Sequence, residues 1–181
     1  DDVGSACCSA WRASAYEFAG LLMHAEHLEA AFGVGPHTIS VPRVKPASDI
    51  DPNAFDNGIP DEMFEKIIAL IRIAVPYTGM IISTRESQEV RAAALQLGVS
   101  QISGGSRTSV GGYVDEARPH DTEQFDVSDQ RTLDEVIGWL MDEGHLPSFC
   151  TACYRAGRTG DRFMEFCKNG QIWTSASRTP C

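Results

Sequence analysis

Helical segments alternate with short apolar strand segments along the first hundred residues, and this alternation limits the fold more than any other feature. Helices are predicted at 16–32, 60–75 and 88–97, where apolar residues recur at helical spacing between capping and turn residues. The strand segments are His37–Val41, Met80–Ser83 and Val99–Ser103. Strands that alternate with helices form parallel sheets, so we predict an α/β fold. Eight such units close into a barrel, and three amount to about half of one.

The chain divides into three predicted regions. Residues 1–113 form the sheet with its helices, 114–131 an acidic linker, and 132–181 a helical C-terminal region. Thr132 and Glu135 have the spacing of a capping box, which predicts a helix that ends at Gly144. The first residue is Asp1 and not Met, so we expect the chain to begin inside a larger domain.

The charge and the cysteine content exclude several classes of protein. The formal net charge is −10, whereas nucleic acids and anionic membranes select basic surfaces. No apolar run approaches the roughly 20 residues that span a bilayer, and no signal peptide is evident. Six cysteines in such a chain indicate metal ligands or free thiols in a reducing compartment. We therefore expect a cytoplasmic protein.

A C-x-x-C motif, formed by Cys150 and Cys153, carries the strongest chemical signal. The three arginines that follow it within ten residues favour the thiolate, which is the form that binds metal. The spacing also fits a redox motif, and a surface pair without a ligand stays open. Together with Cys167 and Cys181 the pair could form a tetrahedral zinc site, although the second C-x-x-C of a zinc ribbon is missing.

Six long motifs occur in a fixed order along the chain. They are Leu21–Glu29, Gly33–Arg43, Ala74–Glu86, Gln101–Thr108, Gly111–Tyr113 and Ser148–Met164. Over nearly all of residues 16–174 they resemble the HydG family, the radical-SAM maturases of FeFe-hydrogenase. The resemblance implies the second half of a radical-SAM barrel, followed by a helical tail that binds an iron–sulfur cluster. It also implies an enzyme that cleaves tyrosine to p-cresol and dehydroglycine and then makes cyanide and carbon monoxide.

The same resemblance implies cofactors, partners and metal ligands. These are S-adenosylmethionine (SAM), tyrosine, hydrogenase maturation factors, and an auxiliary 4Fe–4S cluster with an extra iron, its ligands being Cys150 and Cys153. The family's third cysteine falls at Ala176 here, so Cys181 or Cys167 would have to substitute. The resemblance ends abruptly at residues 5–15 and after Trp173, where we predict shifts of reading frame.

The extra iron of the family implies a histidine ligand. His24 and His27 lie three residues apart and share one face of a predicted helix. We choose His24 first, His27 second and His37 third. Judged from the residues alone, two partly exposed helix histidines without a ligand are the favoured interpretation, and the resemblance shifts that judgement.

Polar residues end each predicted strand, where parallel barrels carry their active sites. Arg43 follows the first strand, Arg85 the second, and Ser103 ends the third. The resemblance implies that Arg85 binds the carboxylate of tyrosine, that Ser103 lies near its amine, and that Arg43 contacts the carboxylate of SAM. Ordinary surface ion pairs are the alternative for both arginines.

The sequence lacks C-x-x-x-C-x-x-C, the motif that binds the reducing cluster of radical-SAM enzymes. We therefore predict that this chain alone is inactive. Two other functions stay open. One is a ThiH-like synthase of 2-iminoacetate (dehydroglycine) in thiamine biosynthesis, a group that lacks the C-x-x-C tail. The other is a stand-alone, non-enzymatic iron–sulfur or zinc module.

Overall fold

A computed structural model of the chain describes residues 4–6, 14–45, 51, 59–109, 111–113, 126–149, 165–166 and 168–171. Four parallel strands form one sheet whose spatial order equals their order in the chain. They are β1 (Gly4–Ala6), β2 (Thr38–Ser40), β3 (Gly79–Ile82) and β4 (Gln101–Ile102). The predicted parallel α/β fold is thus confirmed for the described part. Strand β1 was not predicted, because Gly-Ser-Ala has little intrinsic preference for extended structure.

A helix connects each pair of neighbouring strands, and a fourth helix follows the sheet. The helices are α1 (Ser14–Phe32), α2 (Asp61–Ala74), α3 (Gln88–Gln96) and α4 (Leu133–Asp142). Because the strands are parallel, α1, α2 and α3 each return the chain from the carboxyl edge of the sheet to the amino edge. The carboxyl ends of β2, β3 and β4 therefore lie side by side.

Local signals set most helix ends. Gly33 has a φ of 77° and ends α1, as expected for a residue that enters the left-handed region without strain. The predicted capping box is confirmed, since Thr132 accepts from the Glu135 amide and the Glu135 carboxylate accepts from the Thr132 amide. The sequence also offers Ser83 or Thr84 as the cap of the helix predicted at 88–97, and this prediction is wrong: Ser87 caps α3, where its hydroxyl accepts from Val90 N.

The hydrophobic core lies between the sheet and the inner faces of α1, α2 and α3. Its least exposed members include Ile39, Ile71, Met80 and Ala94. Burial of each large aliphatic side chain contributes roughly 1.5–3 kcal/mol. The sequence predicts an apolar stripe of Met63, Ile67, Leu70, Ile71 and Ala74 for α2. This prediction is partly wrong, since Leu70 is 51% exposed and the buried residues of that helix are Phe64, Ile67, Ile68 and Ile71.

The predicted division into domains stays a prediction, but part of the predicted linker is packed. Asp129 is only 1% exposed, and its amide donates to the carbonyl of Thr84 at 2.9 Å.

Cys150, Cys153, Cys167 and Cys181 lie outside the residues whose structure is described. Within the described helices, none is both long and apolar enough to cross a membrane.

Candidate functional site

A cavity of about 230 Å³ opens at the carboxyl edge of the sheet, between the ends of β2 and β3. Its lining comes from both strand ends and from the first turn of α2: Ser40, Val41, Pro42, Arg43, Phe64, Ile81, Ile82, Ser83, Arg85 and Glu86. Parallel sheets place ligand sites at this edge, because the loops that follow the strands can vary without disturbing the core. Two of the three predicted strand-end residues, Arg43 and Arg85, line this cavity.

Arg43 lies buried in the wall of the cavity and is held by a dense set of contacts. Its Nε and Nη2 donate to the two carboxylate oxygens of Glu86 at 2.9 and 2.5 Å, which is the bidentate geometry. Nη1 donates to the carbonyl of Ile59 at 2.8 Å, and Nη2 also donates to Asp61 at 2.6 Å. The guanidinium carbon lies 4.5 Å from the centre of the Phe64 ring. The side chain is therefore fixed in position before any ligand binds.

The charges around Arg43 balance locally. Burial by itself would lower the pKa of Arg43, but the hydrogen bonds and charges of Glu86 and Asp61 raise it above its usual value. Lys45 adds a second cation, with Nζ 2.8 Å from Glu86. Glu86 is 4% exposed, so it supplies the carboxylate that lets two cations lie beside the cavity. Glu86 could not be recognised as a site residue in the sequence, because nothing in Ser-Thr-Arg-Glu marks its carboxylate as buried.

Arg85 is half-buried in the turn that directly follows β3. Its amide donates to the hydroxyl of Ser83 at 3.3 Å, and the next residue, Glu86, donates its own amide to the carbonyl of Ser83 at 3.4 Å. Hydrogen bonds inside the turn stabilise it, and the ion pair between Glu86 and Arg43 joins the turn to the segment that follows β2. This arrangement presents Arg85 at the cavity, as the strand-end position predicts.

Ser103 follows β4 on the neighbouring side of β3. Its amide donates to the carbonyl of Ile82 at 3.2 Å, and its carbonyl accepts from Nη2 of the buried Arg91. Ser103 does not line the cavity, but it lies at the same edge of the sheet as Arg85, one strand further along. The fold therefore brings the residues predicted to contact substrate and SAM to the ends of three adjacent strands.

The predicted histidines lie away from this edge. His24 and His27 are exposed in the middle of α1, and His37 precedes β2 at the amino edge of the sheet. The carbonyl of His37 accepts from the amide of Gly79 at 2.9 Å, and its Nδ1 is 2.8 Å from the hydroxyl of Thr38. Whether any of them binds iron stays a prediction.

The described part of the C-terminal tail contacts the amino side of the fold. Lys168 pairs with Glu29 near the end of α1, and its Nζ lies 4.9 Å from the centre of the Tyr77 ring. Burial, together with the nearby Glu29 carboxylate, raises the pKa of Tyr77 to about 12. Lys168, which follows the C-x-x-C motif in the sequence, thus lies near the edge opposite the cavity. Among the described residues, no group of three or more His, Cys, Asp and Glu side chains could hold a metal ion.

Comparisons with known proteins agree with this architecture. The protein-family model of the Biotin and Thiamin Synthesis associated domain matches residues 40–146 of this chain. The 2-iminoacetate synthases of Escherichia coli (strain K12) and Salmonella typhimurium (strain LT2) are 29% and 28% identical to the chain over 141 residues. Those residues are 76% of this chain, which spans about a third (34%) of the length of each synthase.

Two solved structures are also similar. One is a crystal structure of HydG, a maturase of the FeFe-hydrogenase, with 52% identity and a TM-score of 0.86. It matches 95% of this chain, which covers 37% of that one. The other is the FeFe-hydrogenase maturase HydG from Carboxydothermus hydrogenoformans, with 47% identity, a TM-score of 0.72, and coverage of 86% of this chain and 34% of that one.

Proposed function

Because this chain belongs to the Biotin and Thiamin Synthesis associated domain family, matched over residues 40–146, we propose that it forms the substrate-binding part of a radical-SAM tyrosine lyase. The proposed reaction is that of the HydG family: cleavage of tyrosine to p-cresol and dehydroglycine, followed by formation of cyanide and carbon monoxide for hydrogenase maturation. The identity of 52% to a HydG structure across 95% of the chain supports this choice.

The observation that carries the proposal is the presence of Arg85 and Ser103 after adjacent parallel strands, at the edge where the cavity opens. A guanidinium binds a carboxylate through two parallel hydrogen bonds, and it stays charged at any working pH. Arg85 would hold the carboxylate of tyrosine, and the hydroxyl of Ser103 would accept from its ammonium group. Two fixed contacts on one α-carbon orient the amino acid before reaction.

Arg43 is proposed to contact the carboxylate of SAM. Within the part of the chain that the structure describes, four of its five N–H groups donate to Glu86, Asp61 and Ile59, and one on Nη1 remains. A single remaining donor fits a contact that orients a carboxylate and does not fit a bidentate clamp. Arg43 would therefore orient the carboxylate of SAM more than it would strengthen the binding of SAM.

The C-terminal tail is proposed to hold the auxiliary 4Fe–4S cluster. Cys150 and Cys153 would supply two thiolates, Cys181 or Cys167 a third, and His24 or His27 a ligand to the extra iron. The donor types fit an iron–sulfur cluster, although the family's third position is Ala176. When bound, SAM with its reducing cluster supplies the radical that starts tyrosine cleavage, and the auxiliary cluster supplies the iron that receives the products.

Ligand binding by the 181-residue chain tests the substrate assignment. L-tyrosine, tyramine (which lacks the carboxylate) and 3-(4-hydroxyphenyl)propanoate (which lacks the amine) are each titrated against the chain and followed by NMR. We expect L-tyrosine to bind more tightly than tyramine, and Arg85→Gln to abolish that difference. The exposed Arg107 is the matched control, since Arg107→Gln removes the same charge from a residue outside the cavity. Equal binding of L-tyrosine and tyramine by the unaltered chain would contradict the proposal.

A 2-iminoacetate synthase is the second candidate function, favoured by the matches to the two bacterial synthases. Iron and sulfide analysis after anaerobic reconstitution distinguishes it from the HydG type. A HydG-type tail binds about four iron and four sulfide per chain, the content of one 4Fe–4S cluster, and loses them in Cys150→Ser/Cys153→Ser. The control is Cys7→Ser. A chain that binds no iron after reconstitution favours the synthase, and stoichiometric zinc favours a non-enzymatic metal module.

A further inference from the structure

A buried ion pair connects α3 to the segment that precedes α4. The side chains of Arg91 and Asp129 are both fully buried, and Nη1 of the arginine donates to the aspartate. In the described part of the chain, Nε of Arg91 has no hydrogen-bond partner. Desolvating two charges costs several kcal/mol per ion, and an orphaned donor adds to that cost. Two apolar side chains would stabilise such a core at least as well, so stability alone explains this pair poorly.

Each partner also holds a backbone carbonyl at the edge where the cavity lies. Nη2 of Arg91 donates to the carbonyl of Ser103, which follows β4. The amide of Asp129 donates at 2.9 Å to the carbonyl of Thr84, the residue before Arg85. One ion pair thus links the ends of β3 and β4 and fixes the residues that are proposed to contact substrate.

The aspartate is itself held rigidly by Arg131. Nε and Nη2 of Arg131 donate to the two oxygens of Asp129 at 2.9 and 2.6 Å, and the guanidinium carbon lies 4.3 Å from the centre of the Trp139 ring on α4. Burial alone would raise the pKa of Asp129, but the hydrogen bonds of Arg131 and the charge of Arg91 lower it below its usual value. The carboxylate is therefore charged at neutral pH.

We propose that Arg91 and Asp129 are a positioning pair that sets the spacing between Arg85 and Ser103, and thereby the recognition of an α-amino acid of L configuration. This inference rests on the proposed function of the site. A carboxylate site and an amine site distinguish enantiomers only when both are fixed relative to a third contact, which here is the cavity wall beside Arg85 that would receive the side chain of one enantiomer. The ion pair fixes both strand ends through backbone atoms and does not touch the substrate.

The ratio of the dissociation constants for D-tyrosine and L-tyrosine measures this positioning. The unaltered 181-residue chain should favour L-tyrosine by about tenfold, as expected when one enantiomer gains an additional hydrogen bond. Arg91→Lys keeps the charge but loses the planar fork whose two terminal nitrogens reach Asp129 and Ser103, so the ratio should fall to within about twofold of unity. A purely structural role would leave the ratio unchanged in the folded fraction.

Arg72 provides the matched control. It also holds backbone carbonyls, those of Gly98, Pro76 and Thr78, but near the amino edge of the sheet. Arg72→Lys should lower the thermal midpoint of unfolding to a similar extent as Arg91→Lys and leave the enantiomer ratio at the value of the unaltered chain.

The outcomes separate the two proposals. If the unaltered chain favours L-tyrosine and Arg91→Lys retains the full ratio, the positioning role is refuted and the substrate site stands. If the unaltered chain binds neither enantiomer, the substrate site is refuted, and the positioning role with it. Should Arg91→Lys fail to fold, the ratio is measured for Asp129→Asn, which keeps the side-chain volume. If that variant also fails to fold, the pair serves folding and the proposal is overturned.

Discussion

Removal of the negative charge of Glu86 should destabilise the fold strongly, because this carboxylate neutralises a buried guanidinium. In Glu86→Gln the amide oxygen keeps one acceptor, but the bidentate contact to Arg43 and the charge that faces Lys45 are lost. Leaving one charge of a buried pair without its partner costs roughly 3–5 kcal/mol. Asp61 remains 2.6 Å from Arg43 and offsets part of that cost. We therefore expect the free energy of unfolding to fall by about 3 kcal/mol, the lower end of that range.

Urea unfolding followed by circular dichroism measures the effect. With a slope of about 2 kcal/mol per M, a loss of 3 kcal/mol lowers the midpoint by about 1.5 M. Glu62→Gln is the control, since Glu62 pairs with Lys66 at 2.7 Å on the exposed face of α2 and its removal should leave the midpoint unchanged. The double variant Arg43→Met/Glu86→Leu should regain most of the loss, because it removes both buried charges. A midpoint for Glu86→Gln equal to that of the control would refute the reasoning.

Four further predictions follow from the same structure. Because the pKa of Tyr77 is raised in the folded state, the stability that this tyrosine contributes is fully present below the usual pKa of about 10 and is lost as the pH rises towards 12. Tyr77→Phe should flatten this dependence when unfolding curves are measured over that pH range. Gly35→Ala should lower the thermal midpoint by several degrees, since a Cβ there would lie 2.1 Å from the hydroxyl of Tyr77, whereas Gly20→Ala meets nothing within 4 Å and should not. Anaerobic incubation of the 181-residue chain with dithionite, SAM and tyrosine should yield no p-cresol or 5′-deoxyadenosine, because the sequence has no C-x-x-x-C-x-x-C motif; either product above the blank would contradict this. Size-exclusion chromatography should show oligomers, because β1 and β4 form the two edges of the described sheet and exposed strand edges pair with other chains; a sharp monomer peak would mean that the edges are covered.

Features that depend on near neighbours in the sequence could be predicted. The helix end at Gly33, the capping box of Thr132 and Glu135, and the opening of α2 after Pro60 all depend on residues within one turn of each other. The alternation of helix and strand then implied a parallel sheet, whose carboxyl edge was the expected place for Arg43, Arg85 and Ser103. The resemblance of the six motifs to the HydG family supplied the roles proposed for these three residues.

The rotational phase of helices was harder to predict. Helix α2 carries apolar side chains on more than one face, so Leu70 was assigned to the core in place of Phe64 and Ile68. In α1, helical spacing from Phe18 through Leu21, Ala25 and Leu28 would place Phe32 on the buried stripe, but its side chain is 70% exposed, since the helix ends beside it. Periodicity identifies a helix in both cases, but only packing against the sheet selects the buried face.

Apart from β1, the sequence by itself determined the order and type of the elements, the parallel direction of the strands and the edge where a site must lie, because each follows from short-range chemistry and chain connectivity. Only the tertiary structure decided which charges are buried. Arg43 and Glu86 are 43 residues apart, and Arg91 and Asp129 are 38 residues apart. In sequence, nothing marks any of these four charges as buried. Each becomes a structural ion only where the fold removes water from both partners at once.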